Sequence, residues 1–446
     1  MDPVGLKHVA LNDRFWSEEF ELIRTKVLPY QWDALNDSVE GAEPSYSIRN
    51  FMMAADPNAD PGEFHGRVFQ DTDLYKWLEA AAYVLEQHPD EMLEKQADEA
   101  VDLICSAQAP DGYLDTCYTE SCASIGLVFF ARRMLELSAD AKYADVMERA
   151  LYNGILSGIA LDGTAFFHVN PLEADPEDSV FDPGKYHVKT RRQPWFGCAC
   201  CPPNIARLYA SLGSYIYTES ESTVYVNLLI GSSFEKDGLV FTQTIEEDTG
   251  ILRAGFSVRG GKGKTIALRR PCWADQMYIR AGEGFGRMSG SRNEDGTACD
   301  ITESLSLQNG YYLIPVDSDD ACFSADILFS PRFVQADPRV KADIGKVALT
   351  YGPWVYCLEE ADNGKDLPLL SADPDSSFRF RKSRISGREY LEIEARGFIR
   401  EKVQQKDLYE AYRVPGKKAV TLRFIPYHMW ANREEGRMQV FVRVEE

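Results

Sequence analysis

CACCPPNIARLYASLGSYIYTESESTVYVNLLIGSSFE, residues 198–235, contains the point at which the pattern of the chain changes. Up to Tyr217, apolar residues recur every three or four positions, which predicts a helix over residues 202–217. After Thr218, apolar and polar residues alternate, which is typical of strands. The chain is therefore predicted to be helical before this point and built from β-sheets after it.

The helical spacing recurs throughout the first 217 residues, with joints rich in Pro, Gly and Asp. Together with the helix just described, it predicts about seven helices. The others are expected over residues 15–35, 48–54, 71–86, 89–108, 120–137 and 141–156. We assign these helices to one domain, residues 1–217.

The alternating pattern fills the rest of the sequence, in short runs bounded by Gly, Asp, Asn and Pro. Its roughly 230 residues suit two β-sandwiches better than one. We place the boundary between the two sandwiches in an Asp-rich stretch near residues 331–345. This predicts sandwich domains over 218–335 and 336–446. Residues 284–303 and 360–390 are rich in Gly, Asp, Ser and Arg and are expected to be long loops. The predicted fold class is multidomain, α then β.

The composition is that of a globular protein, with 44% hydrophobic residues and a formal net charge of −22. This charge repels nucleic acid and anionic membranes, so neither is expected as a partner. No stretch approaches the roughly 18 uninterrupted apolar residues of a membrane span. The opening MDPVGLKHVALNDRFW has no secretory pattern, and the 10 cysteines fit a reducing compartment. A cytoplasmic location is expected.

Three thiols lie within four residues at Cys198, Cys200 and Cys201. Adjacent cysteines do not easily bridge each other, so this cluster needs another explanation. A thiolate is a strong ligand for Zn²⁺ and a strong nucleophile, and the Pro-Pro step that follows leads into a helix start with its positive backbone N–H groups. The cluster is therefore a metal site, a nucleophile, or both.

A second motif, Glu120-Ser121-Cys122, opens the helix predicted over residues 120–137. First-turn side chains can turn toward one ion, and with Cys200 and Cys201 they complete a tetrahedral set of one carboxylate and three thiolates. The spacing differs from that of a zinc finger. Alone, the motif is weak evidence for a metal site and more often indicates a capping Glu beside a buried Cys.

Several stretches resemble the zinc-dependent β-L-arabinofuranosidase family of glycoside hydrolases. The resemblance is carried by ESCASIGLVFFARRML (120–135), YADVMERALYNGILSGIALDGTAFFHVNPLE (143–173) and QPWFGCACCPPNIARLYASLGSYIY (193–217). It extends to FQDTDLYKWLEAAAY (69–83), AQAPDGYLDT (107–116), GKVALTYGPWVYCLE (345–359) and IPYHMWANREEGRM (425–438). It implies an (α/α)6-type helical barrel followed by two β-sandwiches.

The resemblance also implies roles for individual residues. Glu120, Cys122, Cys200 and Cys201 fall on the zinc ligands of the family, and Cys200 falls on the nucleophile of a retaining hydrolysis. His168 stands where the family usually has an aromatic hydroxyl residue, which makes it a candidate substrate contact. The implied substrate is an arabinofuranoside oligosaccharide or glycoconjugate, and a homodimer is expected.

The sequence departs from the family pattern between PDGYLDT (110–116) and CYTESCAS (117–124), which adjoin directly. The family carries its catalytic acid and several pocket histidines in a segment that is missing here. Twelve helices of about 12 residues with connections of about 4–6 need on the order of 200 residues at least, so about seven helices form an incomplete barrel. Other acids nearby would then have to serve as the catalytic acid, but they resemble helix caps or solvated residues. These acids are Asp71, Asp73, Glu79, Asp111 and Asp115.

Three hypotheses follow from this departure. The chain is a zinc-dependent glycosidase, or a zinc-binding homologue with a carbohydrate-binding or structural role and without turnover, or the product of a deletion introduced by gene prediction or assembly. A thiol oxidoreductase or a cysteine protease ranks lower, because no CxxC lies on a βα unit and no His partner is placed by the sequence.

Overall fold

The computed structural model describes residues 2–56, 65–66, 71–107, 121–181, 188–282, 299–336, 338, 340–402, 407 and 409–445. Helices come first along the chain and β-sheets follow, which confirms the predicted fold class. The chain divides into two compact units. The first comprises Met1–Leu151, Gly158–His168 and Gln193–Phe329, and the second comprises Tyr152–Ser157, Val169–Arg192 and Ser330–Glu446. The boundaries of the three predicted domains remain predictions.

The helices agree with the sequence periodicity over most of their length. The predicted helix 15–35 is two α-helices joined by a π-helical segment, Ile23–Val27, and the helix 141–156 ends in a second one, Ala150–Ile155. The α-helices are α1 Arg14–Leu22, α2 Leu28–Leu35, α3 Ser47–Ala55, α4 Asp71–Gln87, α5 Glu91–Ala107, α6 Ser121–Leu137, α7 Ala141–Arg149, α8 Pro176–Phe181, α9 Cys201–Ala210, α10 Gly213–Ile216 and α11 Glu360–Asn363.

Helix α9 is the centre of the helical region. Every residue from Cys201 to Ala210 except Arg207 is buried, and a helix that is buried on nearly all sides belongs to a core. It packs against α4, whose buried residues Leu74, Trp77 and Ala81 recur at helical spacing. These contacts fix the start of α9, where the cysteine cluster lies.

Two sheets complete the first unit. One has six strands in the order β1-β4-β5-β9-β13-β12, and the other has seven in the order β11-β10-β14-β8-β7-β6-β2. Tyr217 joins them, because its hydroxyl bonds Ser232 at 2.7 Å and accepts an N–H from Gln243 at 2.8 Å. The strands are β1 Asp2–Pro3, β2 Val9–Leu11, β4 Tyr217–Glu219, β5 Thr223–Val226, β6 Ser232–Lys236, β7 Leu239–Asp248, β8 Ile251–Arg259, β9 Thr265–Arg269, β10 Gln276–Ala281, β11 Cys299–Asp300, β12 Ser306–Gln308, β13 Tyr311–Pro315 and β14 Asp320–Leu328.

The second unit contains one ten-stranded sheet. Its order is β15-β16-β23-β18-β20-β21-β17-β22-β3, with β19 paired to β20, and a further pairing of β16 with β17 closes part of the sheet on itself. Most of its strands lie within residues 336–446, the region predicted as the second sandwich. Its strands are β3 Glu173–Ala174, β15 Arg332–Val334, β16 Lys346–Tyr351, β17 Trp354–Glu359, β18 Leu370–Ala372, β19 Arg379–Ile385, β20 Arg388–Arg400, β21 Lys417–Pro426, β22 Met438–Gln439 and β23 Val442–Val444.

A buried arginine holds the separate segments of the second unit together. Arg192 is 4% exposed and donates to the Ser157 carbonyl at 2.9 Å and to the Trp430 carbonyl at 2.8 Å. Carbonyl oxygens can satisfy a buried guanidinium in this way, because the guanidinium is a donor only. Among the described residues, no helix is both long enough and apolar enough to span a membrane.

Candidate metal and active site

The cysteine cluster forms where the N-termini of α6 and α9 meet. Cys122 is the second residue of α6, Cys201 is the first residue of α9, and Cys200 immediately precedes that helix. The Sγ atoms of Cys122 and Cys201 are 3.5 Å apart, and those of Cys200 and Cys201 are 3.7 Å apart. All three sulfurs lie within 4.8 Å of one another, so the structure brings together three of the four predicted ligands.

The start of α6 is fixed by hydrogen bonds from Ser121. Its backbone N–H donates to the His168 carbonyl at 2.7 Å, and its hydroxyl donates to the Phe167 carbonyl at 3.0 Å. Ser121 is fully buried, so these bonds also satisfy its polar atoms. They hold Cys122 in place through the residue before it.

The start of α9 is shaped by its two prolines. Pro202 and Pro203 lie in the first turn, where a helix N–H has no intrahelical partner and its absence costs nothing. The remaining N–H groups at the two helix starts give this end of the site a positive potential, which favours thiolates over thiols.

The spacing of the sulfurs fits one tetrahedral metal ion. A Zn–S bond of about 2.3 Å places tetrahedral sulfur ligands about 3.8 Å apart, close to the two distances in the cluster. A disulfide needs about 2.05 Å between sulfurs, so the three cysteines are unbridged thiols. Thiolate donors select soft or borderline ions such as Zn²⁺ rather than Mg²⁺ or Ca²⁺. The described residues can hold a metal.

The three thiols do not ionise independently. Hydrogen bonds from Cys200, Cys201 and Asn204 lower the pKa of the Cys122 thiol. The bond that Cys200 makes to Cys122, with further bonds to Cys198 and Cys201, raises the pKa of the Cys200 thiol. The bare cluster therefore disfavours the ionisation of all three thiols at once. A divalent cation would displace the remaining protons and stabilise all three thiolates.

The three cysteines differ in exposure. Cys201 is fully buried, whereas Cys122 and Cys200 are half-buried. A nucleophile has to be reached by its substrate, so exposure favours Cys200 over its neighbour Cys201. Cys198 also interacts with Cys200 but does not belong to the group of three mutually close sulfurs.

Asp73 is a buried carboxyl beside the cluster. It lies in the first turn of α4, is 2% exposed, and accepts the backbone N–H of Ala199. Burial raises the pKa of Asp73 to about 8, with smaller contributions from the nearby Cys198 and Cys122 sulfurs. Among the acids considered from sequence, Glu79 instead pairs with Arg207 at 2.8 Å. Asp111 and Asp115 lie outside the described residues.

His168 lies next to the cluster, since its carbonyl accepts from Ser121 and is 4.0 Å from the Cys201 sulfur. Its ring stacks on Phe196 with centroids 4.0 Å apart and planes 9° from parallel. Its Nε2 is buried, with no hydrogen-bond partner within the described part of the chain. Burial lowers the pKa of His168, which favours the neutral imidazole. The fourth predicted metal ligand, Glu120, lies outside the described residues.

Asn204 is a site residue that the sequence reasoning missed. It is 4% exposed, and its side chain contributes to the lowered pKa of the Cys122 thiol. A polar residue in the first turn of an otherwise apolar helix, directly after Pro202-Pro203, was the signal available in the sequence.

A helical region with a thiol cluster that could hold a metal, followed by β-sheets, is consistent with the glycoside hydrolases whose family models match this chain. The catalytic-domain model of the GH127 β-L-arabinofuranosidases matches residues 8–120 and 115–214, and the C-terminal-domain model of glycoside hydrolase family 127 matches residues 331–443. The chain belongs to glycoside hydrolase family 127.

Individual relatives agree with this assignment. The chain is 26% identical to a non-reducing end β-L-arabinofuranosidase of Bifidobacterium longum subsp. longum over an alignment of 677 residues, covering 98% of this chain and 100% of the relative. It is similar to the crystal structure of a GH127 β-L-arabinofuranosidase from Geobacillus stearothermophilus T6, with 29% identity, a TM-score of 0.85, and coverage of 98% and 100%. A GH127 β-arabinofuranosidase structure, 21% identical, shares the fold with a TM-score of 0.80 and coverage of 100% and 98%.

The comparison also confirms that the chain is shortened internally. Its 446 residues align with the whole of a relative over 677 positions. The catalytic-domain model matches in two pieces that meet at residues 115–120, where PDGYLDT adjoins the Glu120-Ser121-Cys122 motif. The missing segment therefore belongs to the helical catalytic region.

Proposed function

We propose that this protein hydrolyses β-L-arabinofuranosides with retention of stereochemistry, using Cys200 as its nucleophile on a zinc ion held by Glu120, Cys122, Cys200 and Cys201. One observation carries the proposal: three cysteines from two helix starts place their sulfurs at the spacing of tetrahedral zinc ligands, in a chain of family 127. Names of relatives support the substrate class, because two of them are β-L-arabinofuranosidases.

The chemistry assigned to Cys200 is a double displacement. Its sulfur attacks the anomeric carbon while the glycosidic C–O bond breaks and the leaving oxygen takes up a proton. Water then attacks the same carbon and gives back the proton that the leaving oxygen took up, the C–S bond breaks, and Cys200 is released as a thiolate. When bound, zinc keeps the thiolates deprotonated and in position. Two inversions at one carbon leave the configuration unchanged.

His168 is proposed to contact the substrate. Its Nε2 is a hydrogen-bonding atom beside the cluster without a protein partner among the described residues, and a sugar hydroxyl can serve as donor or acceptor to a neutral imidazole. Stacking on Phe196 restricts the rotation of the ring and so holds Nε2 in one direction.

The alternative function is that of a catalytically impaired or inactive homologue that binds zinc and carbohydrate or has a structural role. It is favoured by one specific observation, the junction at residues 115–120, because the resemblance to the family implies that the proton donor belongs to the segment missing there. Among the described residues, Asp73 is a buried carboxyl that interacts with the Cys198 and Cys122 sulfurs, and burial raises its pKa to about 8.

The test is to measure zinc per chain and then assay an aryl β-L-arabinofuranoside with the wild type, Cys200→Ser and Cys272→Ser. Cys272 is an exposed cysteine outside the cluster and serves as the matched control. We expect one zinc per chain and turnover that is lost in Cys200→Ser and kept in Cys272→Ser. One zinc without turnover would establish the alternative, and no zinc with no thiol-dependent turnover would refute both.

The cytoplasmic location and the homodimer remain predictions. The dimer is checked by sedimentation equilibrium of the purified chain, for which a mass near 50.3 kDa would indicate a monomer.

A further inference from the structure

A cleft of about 480 Å³ opens in the second unit, where β16 begins and β20 ends. Its lining includes three cations, Lys346, Arg400 and Arg443, and one carboxylate, Glu445. We call it the cationic cleft. Its volume falls within the range of small-molecule sites, about 300–1,000 Å³. In a chain with a formal net charge of −22, this local excess of positive charge needs an explanation.

Strand pairing places the three cations on one face of the sheet. Lys346 on β16 lies directly opposite Arg443 on β23, and Arg443 is aligned in turn with Ser371 on β18. Ser371 lies opposite Phe398 on β20. Side chains alternate between the faces of a sheet with a period of two, so Arg400 shares the face of Phe398. Lys346, Arg443 and Arg400 therefore extend from the same face.

The single carboxylate of the cleft is engaged by other groups. Glu445 Oε1 accepts from Lys417 Nζ at 2.7 Å, and Glu445 Oε2 accepts from the Ser371 hydroxyl at 2.7 Å. The bond from Lys417, followed by the bond from Ser371, lowers the pKa of Glu445 and keeps it ionised. Each of its oxygens thus already has a donor that is neither of the two arginines.

The cations of the cleft keep donors for an added anion. Among the residues that the structure describes, neither Arg400 nor Arg443 forms an ion pair with a carboxylate. Lys346 has the carboxylates of Glu173 and Asp343 only at 3.9 Å. A guanidinium presents its N–H groups as a planar fork, which matches two oxygens of a carboxylate or of a phosphate. Arg443 is exposed and Arg400 is half-buried, so solvent reaches both.

We infer that the cationic cleft is an oxyanion-binding site, in which Arg400, Arg443 and Lys346 hold a carboxylate or a phosphate group. A carboxylate would be that of a uronic acid residue in an acidic glycan, and a phosphate would be free or part of a small molecule. Both sources offer the same chemistry, an anion with at least two oxygens for the forks of the arginines. The inference does not depend on the thiol cluster, whose cysteines belong to the first unit.

The test is isothermal titration calorimetry of the full chain with three probes. Trigalacturonate supplies carboxylates on a sugar, its methyl ester keeps the sugar without the charges, and inorganic phosphate supplies the other oxyanion. The titrations are made at low ionic strength, where exposed charges are least screened, and are repeated at high ionic strength. We expect at least one of the two anions to bind, more weakly at high salt, and the methyl ester not to bind.

Two variants connect the binding to the cleft. Arg400→Gln combined with Arg443→Gln removes two charged donors, and we expect affinity for the anion to fall at least about tenfold. Arg443→Gln alone changes one exposed side chain, so it tests the site even if the double variant does not fold, and a smaller loss is expected. Arg384→Gln is the matched control, because Arg384 is an exposed arginine that pairs with Glu389 near the opposite end of β20. It should leave the affinity unchanged.

The outcomes identify the anion as well as testing the site. Binding of trigalacturonate alone, lost in the cleft variants, would assign the site to acidic glycans, and binding of phosphate alone, lost in the same variants, would assign it to phosphate. The inference is overturned if neither anion binds the wild type, if the methyl ester binds as tightly as trigalacturonate, or if the cleft variants bind as tightly as the wild type. None of these results bears on the zinc and arabinofuranoside assays, so the two proposals fail separately.

Discussion

Cys200 and Cys201 are neighbours in sequence, yet the fold gives them different exposures. Cys201 is the first residue of α9 and is fully buried, whereas Cys200 precedes the helix and is half-buried. The buried cysteine is suited to hold a metal, and the accessible one is suited to hold it and react. This difference supports a division of roles that two adjacent identical residues do not reveal in sequence.

At the residue scale we predict that Cys201→Ser removes the metal and that Cys198→Ser does not. Cys201 lies within 4.8 Å of both other sulfurs of the group, and Cys198 lies outside the group. Loss of a ligand should lower zinc affinity roughly tenfold or more, since even the loss of a residue that hydrogen-bonds a ligand costs about that much. Chelator competition measures both variants. Equal affinities for the two would contradict the assignment of Cys201 as a ligand.

We also predict that His168→Phe weakens substrate binding without weakening metal binding. Phenylalanine can keep the stacking on Phe196 but removes Nε2, the atom proposed to contact the sugar. A rise in KM or a loss of sugar binding, at unchanged zinc content, is expected, and it is measured by steady-state kinetics or by calorimetry with an arabinofuranoside. Unchanged sugar affinity would contradict the proposed contact between His168 and the substrate.

The sequence was sufficient to bring Cys122, Cys200 and Cys201 together, because their motifs fall at predicted helix starts. It could not reveal Asn204 or the burial of Asp73. Both depend on how α4, α6 and α9 pack, and that packing brings together residues that are far apart in the chain.

At the element scale, a buried ion pair ties α7 to the first unit's sheets. Arg269 on β9 is fully buried and donates to Asp145 at 2.5 Å and to Glu148 at 3.2 Å, while Trp273 donates to Glu148 at 2.7 Å. Arg269→Met should cost about 3–5 kcal/mol of unfolding free energy, because it leaves buried carboxylates without their cation. Urea unfolding measures this cost.

The matched control for Arg269→Met is Arg14→Met, which breaks the exposed i,i+4 pair of Arg14 with Glu18. Exposed pairs contribute at most about 1 kcal/mol. Similar losses of unfolding free energy in the two variants would show that the buried pair of Arg269 contributes no more to stability than an exposed pair does.

A second prediction at this scale concerns pH. Burial, followed by the charges of Arg192 and Arg388, lowers the pKa of His428 to about 3. Between pH values of about 6.5 and 3 the unfolded chain binds a proton there that the folded chain does not, so stability falls as the pH is lowered. As the pH falls from 7 to 4.5, the unfolding free energy of the wild type should drop by about 2 kcal/mol more than that of His428→Gln. The same loss in both would contradict the buried neutral state of His428.

Among the elements that the sequence did not predict, strand β19 was missed because its sequence is so polar. Residues 360–390 were expected to be a long loop, but Arg379–Ile385 is strand β19, paired with β20 through a two-residue turn. Ser386 and Gly387 have φ values of 50° and 84°, as a type I′ turn requires. β19 is largely exposed and carries four charged residues, so the alternation of apolar and polar residues that identifies a half-buried strand is weak there.

At the scale of the whole molecule, the α-then-β order and the internal shortening were both predictable. The first follows from the change of periodicity near Thr218, and the second follows from two family motifs that adjoin at residues 110–124. The closure of the C-terminal sheet was not predictable. It depends on β16 pairing with both β17 and β23, and pairing between strands distant in sequence leaves no local pattern.

Metal binding should stabilise the folded chain as a whole. A ligand that binds only the native state adds about 4 kcal/mol when its free concentration is a thousand times Kd. Removal of zinc by a chelator is therefore expected to lower the midpoint of thermal unfolding of the wild type. The same treatment of Cys201→Ser should change nothing, and an equal shift in both proteins would point to a metal site elsewhere.

The most direct test of the central claim is X-ray absorption at the zinc edge of the purified protein. If Cys122, Cys200 and Cys201 hold the ion with Glu120, the first shell should contain three sulfurs at about 2.3 Å and one oxygen at about 2.0–2.2 Å. A first shell without sulfur, or a protein that contains no zinc, would contradict the account.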